Sequence, residues 1–182
     1  MSKTGRIEVV CGSMFSGKSE ELLRRLKRAR IAKKKYQLFK PSVDNRYSDT
    51  EVVSHSGDRL ECQVLQNAFQ ISDFLEDDVE IVAFDEAQFF DTTLVTTAIS
   101  LADMGKRVII AGLDMDSRGT PFGPMPHLLA VAEEVLKLTA VCEVCGEPAT
   151  HTYRITEEDK EQVLVGAGDH YQARCRDHWS AR

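Results

Sequence analysis

The sequence holds no apolar run near the ~18–20 residues a membrane-spanning helix needs, so no membrane partner is expected. Its first residues, Met1-Ser2-Lys3-Thr4-Gly5-Arg6, carry charge but no apolar stretch ahead of the first strand-like segment. No secretory leader is expected from them, and the expected compartment is the cytoplasm. Positive charge is in short supply: 23 Lys and Arg stand against 29 Asp and Glu, a formal net charge of −6. That balance lacks the global electrostatic signature of a duplex-DNA binder, and no nucleic-acid partner is expected. Internal repeats and low-complexity tracts are missing too. With 42% hydrophobic and 29% charged residues, disorder does not fit either. Cysteine is sparse and unevenly placed: Cys11 and Cys62 stand alone, while Cys142, Cys145 and Cys175 fall in the last quarter. Disulfides are rare in the cytosol, so that clustering needs another explanation. The 182 residues allow one full domain, or one domain with a small appendage.

What is present alternates. Residues 6–11 read as a strand ended by Gly12, and residues 16–35 as a helix whose apolar stripe is Leu22, Leu23, Leu26 and Ala29. Eight of the twelve residues 24–35 are basic. A solvated helix face accounts for them, and so does contact with nucleic acid or a phosphate-bearing ligand. Residues 36–39 and 62–65 read as strands, 42–60 as a loop with little regular structure, and 69–75 as a helix. Residues 79–84 and 107–112 are apolar nearly throughout, as expected of strands covered on both faces. Residues 94–104 and 128–135 read as helices, 114–126 as a loop, and 136–141 as a strand. Such alternation predicts βαβ units and a parallel sheet, an α/β fold. After Cys142 the texture changes to short segments and turns. The expected division is therefore a nucleotide-binding unit over 1–141 and a small lobe over 142–182.

Gly12-Ser13-Met14-Phe15-Ser16-Gly17-Lys18-Ser19 matches G-x-x-x-x-G-K-[ST], with a strand before it and a helix after it. Gly12 and Gly17 allow the loop to turn its N–H groups inward, toward phosphate oxygens. The helix N-terminus adds partial positive charge and unpaired donors. Lys18 would reach the β- and γ-phosphates of ATP, and the Ser19 hydroxyl would bind Mg²⁺. Such a loop needs a carboxylate at the end of a neighbouring strand. Strand 79–84 runs into Asp85-Glu86. Asp85 is the expected partner of the cation, leaving Glu86 free to accept a proton. No base-reading N-K-x-D motif of a GTPase is present. Asp85-Glu86-Ala87-Gln88 has the outline of a helicase box, but the chain has room for only one lobe. A small kinase remains, or an ATPase that acts in an assembly.

Met14-Phe15-Ser16-Gly17-Lys18-Ser19 together with Phe84-Asp85-Glu86-Ala87-Gln88-Phe89-Phe90 resembles the type II thymidine kinases. The likeness runs on through Asp44-Asn45-Arg46-Tyr47-Ser48, Gly112-Leu113-Asp114, Pro121-Phe122-Gly123, Lys137-Leu138-Thr139-Ala140-Val141-Cys142 and Val165-Gly166-Ala167. It covers roughly residues 6–178. The resemblance implies transfer of the γ-phosphoryl of ATP to the 5′-hydroxyl of thymidine, and of deoxyuridine, on a salvage route to DNA precursors. It makes Glu86 the proton acceptor. It sets Lys18, Ser19, Asp85 and Mg²⁺ at the phosphates, with Asp44, Arg46 and Gln88 nearby, and gives Arg46 the charge on the transferring group. The implied nucleoside pocket is Met14, Phe89, Leu113, Phe122, Thr152, Leu164, Val165, Gly166 and Tyr171, part of it on a lasso loop of the C-terminal lobe. Members of the family often carry Phe in the loop after Leu113-Asp114, where this chain has Ser117. Homotetramers and inhibition by dTTP are further implications of the resemblance.

Cys142-x-x-Cys145 is followed at a distance by Cys175-x-x-His178. Two ligand pairs of this spacing make a tetrahedral Cys₃His site for structural Zn²⁺ with no open position. A redox CxxC would leave the second pair unexplained. Zinc can also mark a nucleic-acid-binding finger, which with basic residues 24–35 gives the rival reading of a zinc-containing, ATP-dependent nucleic-acid module. His55, His127, His151 and His170 read as surface or loop histidines.

Overall fold

Residues 7–11, 81–84 and 107–112 offer almost no polar face to water, so they are satisfied only in the middle of a sheet covered on both sides. The computed structural model describes residues 5–42, 51–53, 59–155 and 170–180. Its strands are β1 (Arg6–Gly12), β2 (Tyr36–Pro41), β3 (Glu51–Val53), β4 (Arg59–Glu61), β5 (Gln63–Leu65), β6 (Ile81–Phe84), β7 (Arg107–Gly112), β8 (Glu134–Leu138), β9 (Ala140–Val141), β10 (Pro148–Ala149), β11 (His151–Arg154) and β12 (Tyr171–Arg174). The helices are α1 (Lys18–Ile31), the single turn α2 (Ile71–Phe74), α3 (Thr93–Asp103) and α4 (Met125–Val131).

Six strands form one sheet in the order β5-β2-β6-β7-β1-β8, and every pairing in it is parallel. Alternate residues of the inner strands serve opposite faces. Val10, Leu38, Ile81, Ala83, Ile109 and Ala111 meet Leu22, Leu23, Leu26 and Ala29 of α1. Ile7, Val9, Val82, Phe84, Val108 and Ile110 meet Leu94, Ala98 and Leu101 of α3 and Leu128 of α4. The α/β reading holds. The sheet directs the carboxyl ends of β1, β6 and β7 to one edge.

Several expected bounds move. The helix expected over 16–35 ends at Ile31, because Lys33 turns into the left-handed region at φ 57°. Within the expected loop 42–60, β3 and β4 pair antiparallel, and Val52 and Leu60 are buried against the α1 face of the sheet. The helix expected over 128–135 lies at Met125–Val131 with Pro in its first turn, where a missing N–H costs nothing. The strand expected over 136–141 is pulled back to Glu134–Leu138. There the Glu133 N–H donates to the Ile7 carbonyl at 3.0 Å, and β8 takes the free edge of β1.

Glu8 has no counterpart in the sequence expectations. It is fully buried in β1 between two apolar neighbours, where an unpaired charge would be untenable. Three arginines neutralise it: Arg6 at 2.6 Å, Arg107 at 2.6 Å, and Arg25 of α1. Arg25 also holds Glu21 at 2.8 Å and Glu134 of β8 at 2.9 Å. One ion cluster thus ties β1, β7, β8 and α1 together. It absorbs part of the basic run, whose Arg24, Lys34 and Lys35 pair with Glu21, Glu80 and Asp78.

Burial alone would raise the Glu8 carboxyl, but the three guanidinium groups outweigh it and hold it at about 2, against an ordinary 4.5. A depressed carboxyl stabilises the fold fully above pH ~4.5 and loses that contribution as pH falls toward 2. Glu8→Gln is expected to cost about 1–3 kcal/mol at pH 7, since it removes the buried charge shared by Arg6, Arg25 and Arg107, although Arg25 keeps Glu21 and Glu134. Urea unfolding of both proteins from pH 7 to pH 3 should show the gap narrowing with acidity. A gap constant over that range would overturn this role for the charge.

Candidate active site

The phosphate loop begins where β1 ends. Gly12 has φ 146°, and a Cβ there would stand 2.5 Å from the Leu138 carbonyl oxygen and 2.8 Å from Ser16 Oγ, so only glycine lets β8 and the loop close together. Gly17 caps α1 from the left-handed region. Lys18 Nζ and Ser16 Oγ both donate to the Ser13 carbonyl, at 2.7 and 2.8 Å, which draws the loop around the lysine. Phe15 sits at φ 64° on the loop, a strained setting for a non-glycine residue.

The acid pair lies opposite. Ser19 Oγ donates to Asp85 Oδ2 at 3.1 Å, bringing the hydroxyl and carboxylate together as a hydrated cation site requires. Asp85 is buried, and its Oδ1 accepts from the Glu86 N–H at 2.9 Å. Glu86 is itself left-handed, at φ 50°. Gln88 Nε2 donates to Glu86 Oε2 at 2.5 Å, and Gln88 Oε1 accepts from the Leu113 N–H at 2.9 Å. The buried amide therefore joins the end of β6 to the end of β7. Its bridging was invisible in the sequence, where Gln88 is only two residues beyond the acids.

An open cleft lies between these groups. Met14, Phe15, Gly17, Lys18, Ser19, Glu20, Glu86 and Leu113 line it, so members of the expected phosphate and nucleoside sets share one wall. The Met14 N–H donates to Thr152 Oγ1 at 3.1 Å, linking the loop to β11. Phe89 and Phe122 meet edge to face, with ring centroids 5.7 Å apart. Tyr171 is buried on β12, opposite Arg154. Asp44, Arg46, Leu164, Val165 and Gly166 lie outside the described residues. His151, expected at the surface, is instead buried, which lowers its affinity for a proton together with the nearby charges of Arg176 and Lys137.

Cys142, Cys145, Cys175 and His178 converge, with one ligand atom from each inside a group whose members are all within 4.8 Å of one another. Cys145 and Cys175 sulfurs are 3.7 Å apart, and Cys175 Sγ is 3.2 Å from His178 Nδ1. Cys142 Sγ is 3.9 Å from His178 Nδ1, so these three pairs lie near the ligand edges of about 3.3–3.8 Å that tetrahedral zinc sets with bonds of about 2.0–2.3 Å, and three sulfurs with one imidazole nitrogen suit that ion. The knuckles are prebuilt: the Gly146 N–H donates to the Cys142 carbonyl at 2.8 Å, and the His178 N–H to that of Cys175 at 3.2 Å. Among the described residues the apolar cluster beside them is Ala140, Cys142, Ala149 and Ala173, with Cys175 against it. All five cysteines are free of disulfides.

A parallel sheet flanked by helices, with a Gly-Lys-Ser loop at the carboxyl end of β1 and Asp85-Glu86 beside it at the end of β6, makes this an α/β protein with the outline of a phosphate-binding loop. A family model described as thymidine kinase matches residues 5–179. The thymidine kinase of Rhodothermus sp. (strain ITI 518) is 54% identical over 172 residues, covering 94% of this chain and 80% of that protein. The chain belongs to the thymidine kinase family. A looser likeness is to domain III of the Thermotoga maritima replication initiation protein DnaA, with TM-score 0.42 and 15% identity over 74% of this chain and 55% of that one. A likeness of that size says nothing of what this chain does.

Proposed function

We infer that this chain is a thymidine kinase, transferring the γ-phosphoryl group of ATP to the 5′-hydroxyl of thymidine and releasing dTMP and ADP. The observation that carries the reading is the shared cleft, where Lys18, Ser19 and Glu86 face Met14 and Leu113. Glu86 takes the proton of the 5′-hydroxyl as the new O–P bond forms and the bond from the γ-phosphorus to the β-bridging oxygen breaks. Gln88 holds the Glu86 carboxylate toward the cleft. Lys18 and the loop N–H groups, Gly12 to Ser19, orient the departing diphosphate, and little covalent help is needed because the transition state is loose. Ser19 and Asp85 would hold Mg²⁺, which when bound would neutralise phosphate charge. Asp44 and Arg46 are proposed partners at the phosphates. Met14, Phe89, Leu113, Phe122, Thr152, Leu164, Val165, Gly166 and Tyr171 are the proposed walls around the nucleoside.

The kinase unit is proposed as 1–141 and the zinc lobe as 142–182, with Zn²⁺ on Cys142, Cys145, Cys175 and His178. A homotetramer, inhibition by dTTP and a cytoplasmic location follow from family membership as proposals. One methyl separates thymidine from deoxyuridine, worth only about 1–3 kcal/mol in an apolar pocket, so turnover of both is expected. ADP release from Mg·ATP is measured with thymidine, deoxyuridine, deoxycytidine, single-stranded DNA or no acceptor. Turnover confined to the first two, with the monophosphate as product, supports the kinase. Turnover with DNA alone, or equal turnover without an acceptor, overturns it.

A further inference from the structure

Trp179 is the only tryptophan in the chain and directly follows His178, the last ligand of the Cys₃His cluster. Its ring stacks on the His151 imidazole, with centroids 4.4 Å apart and planes 26° apart. Its Nε1 donates to the Ser117 carbonyl at 3.3 Å. The same ring lies over Gly119, where a Cβ would stand 2.6 Å from Cη2 and where φ is 73°. The contact therefore requires glycine twice over, for room and for backbone angle. One side chain thus touches the turn after β7, the first residue of β11 and, through the backbone, the metal-ligand set.

That turn is stiff. Asp116 Oδ1 accepts from the Arg118 and Thr120 N–H groups, each at 2.9 Å, and the Asp116 N–H donates to the Thr120 carbonyl at 2.9 Å. The Phe122 N–H donates to the Asp114 carbonyl at 3.1 Å, closing the base of the turn. Leu113 precedes this base and Phe122 ends it, so a shift at the tip is carried to both. On the other side, His151 adjoins Thr152, whose hydroxyl receives the Met14 N–H at 3.1 Å.

We propose that Trp179 is a positioning residue, seating the 114–122 turn and β11 on the Cys₃His cluster and so fixing Leu113, Phe122 and Met14 around the nucleoside. This rests on the assignment of those three residues to the nucleoside pocket. The seat acts on the nucleoside side of the cleft and leaves Lys18 and Ser19, at the far end of the loop, in place.

The test uses the full chain loaded with zinc. Trp179→Ala is expected to raise KM for thymidine roughly tenfold, the scale of a lost apolar fit, while KM for ATP, kcat and zinc content hold within about twofold. Trp179→Phe keeps a ring on His151 and over Gly119 and should restore most of the thymidine KM. Gly119→Ala, which leaves the tryptophan in the chain but puts a methyl where its ring lies, should move its fluorescence to the red and raise thymidine KM together. Unchanged thymidine KM in Trp179→Ala, an equal rise for ATP, or a Phe variant no better than Ala overturns the proposal. Unmoved emission in Gly119→Ala overturns it as well, and does so even where Trp179→Ala fails to fold. Absence of thymidine-dependent turnover in the unaltered protein would instead sink the kinase reading, and the emission arm would then decide the seating by itself.

Discussion

Glu86→Gln is expected to lower kcat by about 10²–10⁴-fold, the range for removing a positioned general base, while ATP binding stays within about twofold of the original. The substitution keeps shape and removes only the ability to accept a proton. The local backbone should tolerate it, since the left-handed turn at φ 50° is held by the Glu86 N–H on Asp85 Oδ1 rather than by the Glu86 side chain. Gln88 would then face an amide in place of a carboxylate, and either group can still accept its N–H. Steady-state turnover paired with equilibrium ATP binding separates the two effects. Near-native kcat would remove Glu86 as the base. Joint loss of turnover and ATP binding would mean that the change had disturbed the Asp85–Ser19 contact instead.

Loss of zinc should be as severe by a different route. Cys145→Ser is the informative change, because Cys145 is exposed and contributes little packing, unlike buried Cys142. It is expected to give protein with less than about one-tenth of the unaltered metal content and a Tm lower by roughly 10 °C or more. Among the described residues the apolar cluster of this region is three alanines and two cysteines, and both cysteines are ligands, so the metal is expected to supply much of what holds it. The damage would reach the phosphate loop, since Met14 leans on Thr152 and Ser13 Oγ donates to the Ala149 carbonyl at 3.4 Å. Metal analysis and thermal melting check this together. Full zinc content with unchanged melting would dismiss the four residues as a structural metal site.

That Lys18 and Ser19 meet Asp85 and Glu86, and that Cys142 and Cys145 meet Cys175 and His178, was legible because each short motif restricts residue type at fixed spacing. The inner strands were legible because unbroken apolar runs have few other places to go. Strand order was not, since any of several neighbours could have covered β1. Helix α4 slipped because residues 128–135 read as helix by period alone, while the free edge of β1 claimed 134 onward as strand. Glu8 left one trace: a carboxylate alternating into an apolar strand has to be paired, though the sequence does not say that Arg6, Arg25 and Arg107 do it. The contacts of Gln88 with Leu113, and of Trp179 with Gly119, join segments far apart in the chain and could not be read from either alone.

Strand β7 stands between β1 and β6 in the sheet, so the loop and the acid pair hang on strands that never touch. The two halves of the cleft cannot be brought together by a hairpin or any other local piece of chain. Such long-range parallel pairing forms slowly, and the cleft exists only once all three strands have docked. Any molecule that spans it therefore reports on cooperative folding of the central sheet. At a hundred times its dissociation constant it would deepen the native basin by about 2.7 kcal/mol, which makes protease resistance with and without nucleotide a measure of occupancy in crude extracts.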